Sequence, residues 1–220
     1  MQVVLWDLDG TLADTEELHF ESWQASLGEL GITYTYAQFI ESFGRRNGDI
    51  LPELLGQDTP LAKIEAVSDQ KEHIFRELLR RKGLHPLPGV MDWLQKFQSA
   101  GWKQVISSSA PMANIVTMID ALRVGDFFVS LMSGARMPQG KPHPAIFLHS
   151  AAAVNMLPDQ CLVIEDSLAG LQAARRAGMR SVAVGKVIET PGFQAFLQQG
   201  NSPVCRPTLS LTALQWKEIM

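Results

Sequence analysis

The feature that most limits this chain is an alternation of short apolar runs with helical stretches, broken once near the start. Runs at 3–6, 103–107, 127–132, 161–164 and 181–184 have the length and character of buried strands. Helical patterns separate the later ones. Val90, Trp93, Leu94 and Phe97 share one face, and Gly101 stops that helix. Pro111 is expected to open the next helix, with Ser109 as its cap. Two more helices fall near 144–154 and 168–177. Such alternation requires an α/β fold with a parallel sheet covered on both faces. Residues 16–82 read instead as helices alone. Trp23, Leu27 and Leu30 fall at i, i+4, i+7, and Ile64, Val67, Ile74 and Leu78 mark one face of a longer helix. The run at 3–6 must still join the sheet, so the helical block interrupts the α/β unit after its first strand. The expected division is a discontinuous core of 1–15 plus 84–220 and a helical insert of 16–83. The joints fall near 14–16 and 83–89, and an insert on two linkers is a candidate lid. The tail from 203 to 220 is expected to add an edge strand and a short helix.

Composition narrows the partners. A chain of 220 residues buries enough surface to fold without disulfides or structural metals. Apolar residues at 46% and charged residues at 19% exclude extensive disorder. The 23 acidic and 19 basic residues give a net charge of -4, which speaks against a nucleic-acid partner. Cys161 and Cys205 form neither a disulfide framework nor a CxxC pair. Residues 1–7 lack a basic leader, and no stretch approaches the roughly 18 apolar residues of a membrane span. A cytoplasmic protein with no membrane partner is expected, as a monomer or at most a weak dimer.

Ligands of open parallel sheets bind beyond the carboxyl ends of the strands. The residues there converge on one chemistry. The first strand runs into Asp7-Leu8-Asp9-Gly10-Thr11 and the second into Ser107-Ser108-Ser109. The third leads to Gly140-Lys141-Pro142 and the fourth to Glu165-Asp166-Ser167. Asp7, Glu165 and Asp166 are hard oxygen ligands suited to Mg²⁺. A phosphate could bridge that ion and Lys141, with Ser108, Ser109 and the backbone N–H groups of Leu8 and Asp9 holding its oxygens. Asp7 would attack phosphorus, forming an aspartyl phosphate. Asp9 would protonate the leaving oxygen and then deprotonate water, so it is expected to be the carboxyl that can hold a proton. Alternation along an extended segment sends both side chains to one side, and Gly10 permits the turn that follows.

With these residues the sequence resembles the haloacid dehalogenase superfamily of phosphotransferases. The resemblance rests on DLDGTLADT at 7–15, Ser108 at a strand end, KPHP at 141–144 and VIEDSLAGLQAARRAGM at 163–179. It implies a Rossmann-like core, a helical cap after the first motif, and an Asp7 nucleophile with an Asp9 acid/base. It also implies a Mg²⁺ site built from Asp7, the backbone oxygen of Asp9, Asp166 and Glu165. DTEELHFESW at 14–23 is similar to the β-phosphoglucomutase and small sugar-phosphatase branch. That similarity implies substrate contacts from Thr15, His19 and Lys71 in the cap. Arg45, Arg46 and Asn47 lie where the mutase has an arginine that grips the non-transferring phosphate; Asn47 takes its position, and the arginines come one and two residues earlier.

Blander features stand beside these. Gly134 to Lys141 imitates a phosphate-binding P-loop but has one residue too many, and Pro142 stands where a hydroxyl is needed. Ser68-x-x-Lys71 has no other part of serine-hydrolase chemistry around it. Arg175-Arg176 and Arg80-Arg81-Lys82 read as solvated helix faces, and Ala169, Gly170, Ala173, Ala174 and Ala177 as a closely packing one. The expected activity is a Mg²⁺-dependent phosphatase acting on a small phosphorylated metabolite, a sugar phosphate by preference. A phosphomutase using the same site is the alternative, and a non-catalytic binding protein the third. Asp9 sets the chain apart from hydrolytic dehalogenases, and the missing glycine fingerprint sets it apart from dinucleotide-binding modules.

Overall fold

A computed structural model describes residues 2–200 and 203–219. Six strands, β1 (Val3–Trp6), β2 (Lys103–Ser108), β3 (Ser130–Ser133), β4 (Cys161–Glu165), β5 (Arg180–Val184) and β6 (Cys205–Thr208), form one sheet in the order β3-β2-β1-β4-β5-β6. Every neighbouring pair is parallel. β1 lies between β2 and β4, with Leu5 opposite Val105 on one side and Val163 on the other. The chain departs from β1 toward both edges, so β1 marks the switch point where a crevice opens. All four residues of β1 are fully buried, which explains why it reads as an unbroken apolar run.

The two faces are packed separately. Val4 and Trp6 point into a cluster with α5 (Val90–Ser99) and α6 (Met112–Leu122). Val3 and Leu5 point into the opposite cluster, with α7 (Ala145–Ala153) and α8 (Leu168–Arg176). A final helix, α9 (Pro191–Gln198), covers β5 and β6 through Phe193 and Phe196. Pro207 is tolerated in β6 because that strand is the sheet edge.

Between β1 and β2 come four further helices: α1 (Glu16–Gly28), α2 (Tyr36–Ser42), α3 (Asn47–Leu55) and α4 (Leu61–Lys82). They build a core of their own from Trp23, Leu27, Tyr34, Phe39, Ile50, Leu51, Ile64 and Val67. Thr35 starts α2 with a capping box, its hydroxyl accepting from Gln38 N while Gln38 accepts from Thr35 N. The fold is therefore α/β, with a helical cap inserted after the first strand. No helix among the described residues is long and apolar enough to cross a membrane.

Several local expectations change. β3 begins at Ser130 rather than at 127, because Gly125–Phe127 forms a 3-10 turn that delivers the chain to the sheet. Ser109 does not cap α6. Pro111 precedes it, and its carbonyl accepts from Asn114 N and Ile115 N. α1 ends before Leu30, which is 43% exposed. On α4 the buried seam runs through Lys71, Glu72 and Phe75 rather than through Ile74, because the helix turns polar groups toward the sheet's carboxyl end. Arg175 is not a solvated charge: its guanidinium lies 3.4 Å from the Phe196 ring centre and donates to Phe196 O.

Candidate active site

The ends of β1, β2 and β4 and the loop after β3 meet in one cleft. Asp7, Asp9, Ser108, Ser109, Lys141, Glu165 and Asp166 line its floor, with Phe43 and Gly44 of the cap above. The backbone turn after β1 makes this possible. Gly10 has φ +76°, and a Cβ there would stand 2.0 Å from Asp166 Oδ2. Glycine thus supplies both the left-handed turn and the room for a carboxylate. Gly170 has a similar role on α8, where a Cβ would lie 2.0 Å from Glu165 Oε2. Sequence reasoning gave Gly170 only a packing function.

Lys141 ties the floor together. Its ammonium donates to Asp7 Oδ1 at 2.5 Å and to Glu165 Oε2 at 2.8 Å, and all three side chains are buried. Burial alone would lower the lysine, but the Asp7 and Glu165 charges outweigh it and raise it, so Lys141 stays cationic. Arg176 on α8 pins this loop by donating to Pro142 O at 2.9 Å. Ser167 donates to Glu165 Oε1 at 2.8 Å and caps α8 by accepting from Gly170 N. Thr11 donates to Asp166 Oδ1 at 3.2 Å. Thr11 had no role in the sequence reading, although its place four residues after Asp7 was the available signal. Ser108 Oγ accepts from Ala110 N at 3.0 Å. The Leu8 side chain is buried in the core, leaving only its main chain for a ligand.

Oxygens of Asp7, Glu165 and Asp166 lie within 4.8 Å of one another. Burial and the Glu165 charge push Asp7 up to about 8, against the pull of Lys141. Burial, then the Glu165 and Asp7 charges, raise Asp166 well above its ordinary value. Three crowded oxygen donors with one lysine to balance them suit a hard divalent cation, which would relieve that repulsion. Asp9 behaves differently. Burial works to raise it, but hydrogen bonds from His19 and Thr15 and the charge of Lys71 prevail and hold it below its ordinary value. With only the protein's own groups beside them, Asp7 is the carboxyl pushed up and Asp9 the one held down.

Asp9 belongs to a chain of polar contacts that climbs into the cap. Thr15 Oγ1 donates to Asp9 Oδ1 at 2.8 Å, and His19 Nε2 lies 3.0 Å from the same oxygen. His19 Nδ1 sits 2.8 Å from Lys71 Nζ. An ammonium only donates, so Nδ1 accepts and the Nε2 proton points at Asp9. Phe75 stacks on the imidazole at 4.2 Å and fixes its plane. Lys71, fully buried, donates to Glu72 Oε1 at 2.9 Å. Glu72 also accepts from Asn47 Nδ2 at 2.6 Å and, through Oε2, from Asn114 Nδ2 on α6. Arg76 completes the link by donating to Asn114 Oδ1 at 2.7 Å. Glu72, Asn114 and Arg76 were missed from sequence, since no local pattern reveals a contact 38 or 42 residues away.

The structure brings Thr15, His19 and Lys71 onto the Asp9 side of the cleft. Arg45, Arg46 and Asn47 line the same cap pocket, beside Trp23, Phe39 and Ser68. Both arginines are already engaged. Arg45 forms a two-pronged pair with Glu53 at 2.6 and 3.1 Å. Arg46 does the same with Asp49, both contacts at 2.7 Å, and donates to Met137 O of the core.

Comparisons with known proteins show the family of the chain. Residues 4–184 match the haloacid dehalogenase-like hydrolase family. The chain is 30% identical over 224 positions to a phosphorylated carbohydrates phosphatase of Thermotoga maritima, with 100% of both chains covered. It is 28% identical over 226 positions to a β-phosphoglucomutase of Bacillus subtilis, covering 99% of this chain and 96% of that one. A solved β-phosphoglucomutase from Clostridium difficile superimposes with a TM-score of 0.84 at 25% identity, covering 100% of this chain and 95% of that one.

Proposed function

Because the chain belongs to the haloacid dehalogenase-like hydrolases, in the branch of β-phosphoglucomutases and sugar phosphatases, we propose that it is a Mg²⁺-dependent phosphatase acting on a small phosphorylated carbohydrate. The single observation that carries this is the convergence of Asp7, Asp9, Ser108, Lys141, Glu165 and Asp166 at the carboxyl ends of adjoining strands. In this reading residues 16–83 are the cap and the remainder is the catalytic core.

Mg²⁺ would be held by the Asp7, Glu165 and Asp166 carboxylates and the Asp9 carbonyl oxygen, and would supply positive charge to neutralise the phosphoryl oxygens. The protein's own groups do the rest. Lys141, Ser108, Ser109 and the amides of Leu8 and Asp9 hold the phosphoryl oxygens. An Asp7 carboxylate oxygen attacks phosphorus while the ester P–O bond breaks, and the leaving oxygen takes the proton of Asp9. Water then gives a proton to Asp9 and attacks the same phosphorus. The bond to Asp7 breaks, orthophosphate departs, and the Asp7 carboxylate is restored. Asp9 starts low, but an incoming phosphate dianion disfavours its charged form and raises its affinity for a proton. His19 and Thr15 aim the carboxyl at the leaving oxygen, and the cap excludes bulk water from the acyl phosphate.

A ³¹P NMR time course with hexose, pentose and triose monophosphates tests this reading. Orthophosphate should accumulate from particular esters with Mg²⁺ and not after chelation. Conversion of one ester into another without orthophosphate would make the protein a mutase.

A further inference from the structure

Each cation that lines the cap half of the cleft among the described residues already faces a carboxylate. Lys71 has Glu72, Arg45 has Glu53, and Arg46 has Asp49. Three positive charges meet three negative ones at 2.6 to 2.9 Å. The Asn47 amide, at the position matching the mutase arginine, is spent on Ser68 at 3.0 Å and Glu72 at 2.6 Å. Apart from Asp9 and His19, the rest of the lining carries no charge: serine hydroxyls, an amide oxygen, and the side chains of Trp23, Phe39 and Phe43. Such a surface suits the hydroxyls and C–H faces of a sugar or polyol.

Resting on the phosphatase reading of this site, we infer that the cap pocket selects esters carrying a single phosphate on an uncharged carbohydrate and rejects a second phosphate or a carboxylate, and that Glu72 determines this specificity. Glu72 is 4% exposed and fixed by three donors, Lys71, Asn47 and Asn114. It cannot swing away without leaving the buried Lys71 charge with no carboxylate to balance it. A second anionic group brought beside Lys71 also meets the Glu72 charge, which lies 2.9 Å from that ammonium. Like-charge juxtaposition in a partly closed pocket is a strong means of exclusion. Burial acts against the Glu72 charge, but the Lys71 ammonium and the hydrogen bonds from Lys71 and Asn47 hold its carboxyl below the ordinary value, so the charge persists at neutral pH. Arg45 and Arg46 are neutralised the same way at the rim. A bisphosphate, which any mutase cycle on this site must bind, finds no uncommitted cation for its far end.

The test compares glucose 6-phosphate with glucose 1,6-bisphosphate in two assays. The first is kcat/KM for the wild type. The second is Kd for Asp7→Asn by calorimetry with Mg²⁺, which needs no turnover. Both should favour the monophosphate by at least about tenfold. Glu72→Gln frees the Lys71 charge and should shrink that preference to about threefold or less, whereas a merely structural loss would weaken both ligands alike. Glu53→Gln, at a 53% exposed side chain, frees Arg45 without disturbing the core and should shift the ratio the same way, carrying the test if Glu72→Gln does not fold. Equal or tighter binding of the bisphosphate by the Asp7→Asn protein would overturn the inference. So would a folded Glu72→Gln protein with an unchanged ratio. Selective binding of the monophosphate without hydrolysis would sink the phosphatase reading and leave the charge-balanced pocket standing.

Discussion

At the scale of single residues, the site depends on where carboxylates are allowed to approach one another. Gly10 lets Asp166 sit against the turn after β1. Gly10→Ala places a methyl group on that oxygen and forces an L side chain into the left-handed region, at about 1–2 kcal/mol for the conformation alone. The variant should melt lower and need more Mg²⁺ for half-maximal activity; an unchanged Mg²⁺ titration would show that Asp166 does not need this space. Asp9→Asn keeps the shape but removes the proton carrier. Steady-state phosphate release should fall by about 10²–10⁴-fold with little change in thermal stability. The residues that announce this chemistry were readable because all but Lys141 sit at or directly after a strand end, so motif and position coincide. In the cap network, Thr15, His19, Asn47 and Lys71 were legible only through the family resemblance, and Glu72, Asn114 and Arg76 were not legible at all. Their meaning comes from α4 packing on α6, a contact that no spacing encodes.

At the scale of elements, the helical cap and the sheet were legible because helical and strand periodicities segregate so cleanly along the chain. Short polar strands were harder: β3 pairs through Ser130 and Ser133 at its ends, and its start is set by pairing with Val105 rather than by its own hydrophobicity. The contact between the two units is carried in part by Arg46, which joins the start of α3 to Met137 O, packed over Gly140. A Cβ on Gly140 would stand 2.5 Å from Arg46 Nε. A hydrogen bond from a charged donor contributes about 1.5–3 kcal/mol, so Arg46→Ala should raise KM about tenfold or more while kcat falls less. A drop confined to kcat would mean that Arg46 serves the chemical step instead of the docking of cap on core.

At the scale of the whole molecule, the cluster of Asp7, Glu165 and Asp166 makes stability depend on pH and on cations. Asp7 is pushed from 3.8 up to about 8. Between those values the native chain holds a proton that the unfolded chain has released, so metal-free stability declines as pH rises across that window, by at most about 1.4 kcal/mol per pH unit from this group. Asp166, raised as well, acts in the same direction. In chelator the melting temperature of the wild type should therefore fall relative to Asp7→Asn between pH 5 and about 8, and Mg²⁺ should remove most of the difference. A gap independent of pH and of Mg²⁺ would contradict the raised affinity for protons.

The central claim is that Asp7 itself receives the phosphoryl group. It is tested most directly by quenching turnover of a sugar monophosphate in acid, reducing with borohydride, and reading the mass of the peptide that contains Asp7. An acyl phosphate there is reduced to homoserine, so the account predicts that mass at residue 7 in the wild type, and none in Asp7→Asn or after Mg²⁺ is chelated. Orthophosphate release at the wild-type rate by Asp7→Asn, or a trapped phosphoryl group on any other residue, would contradict it.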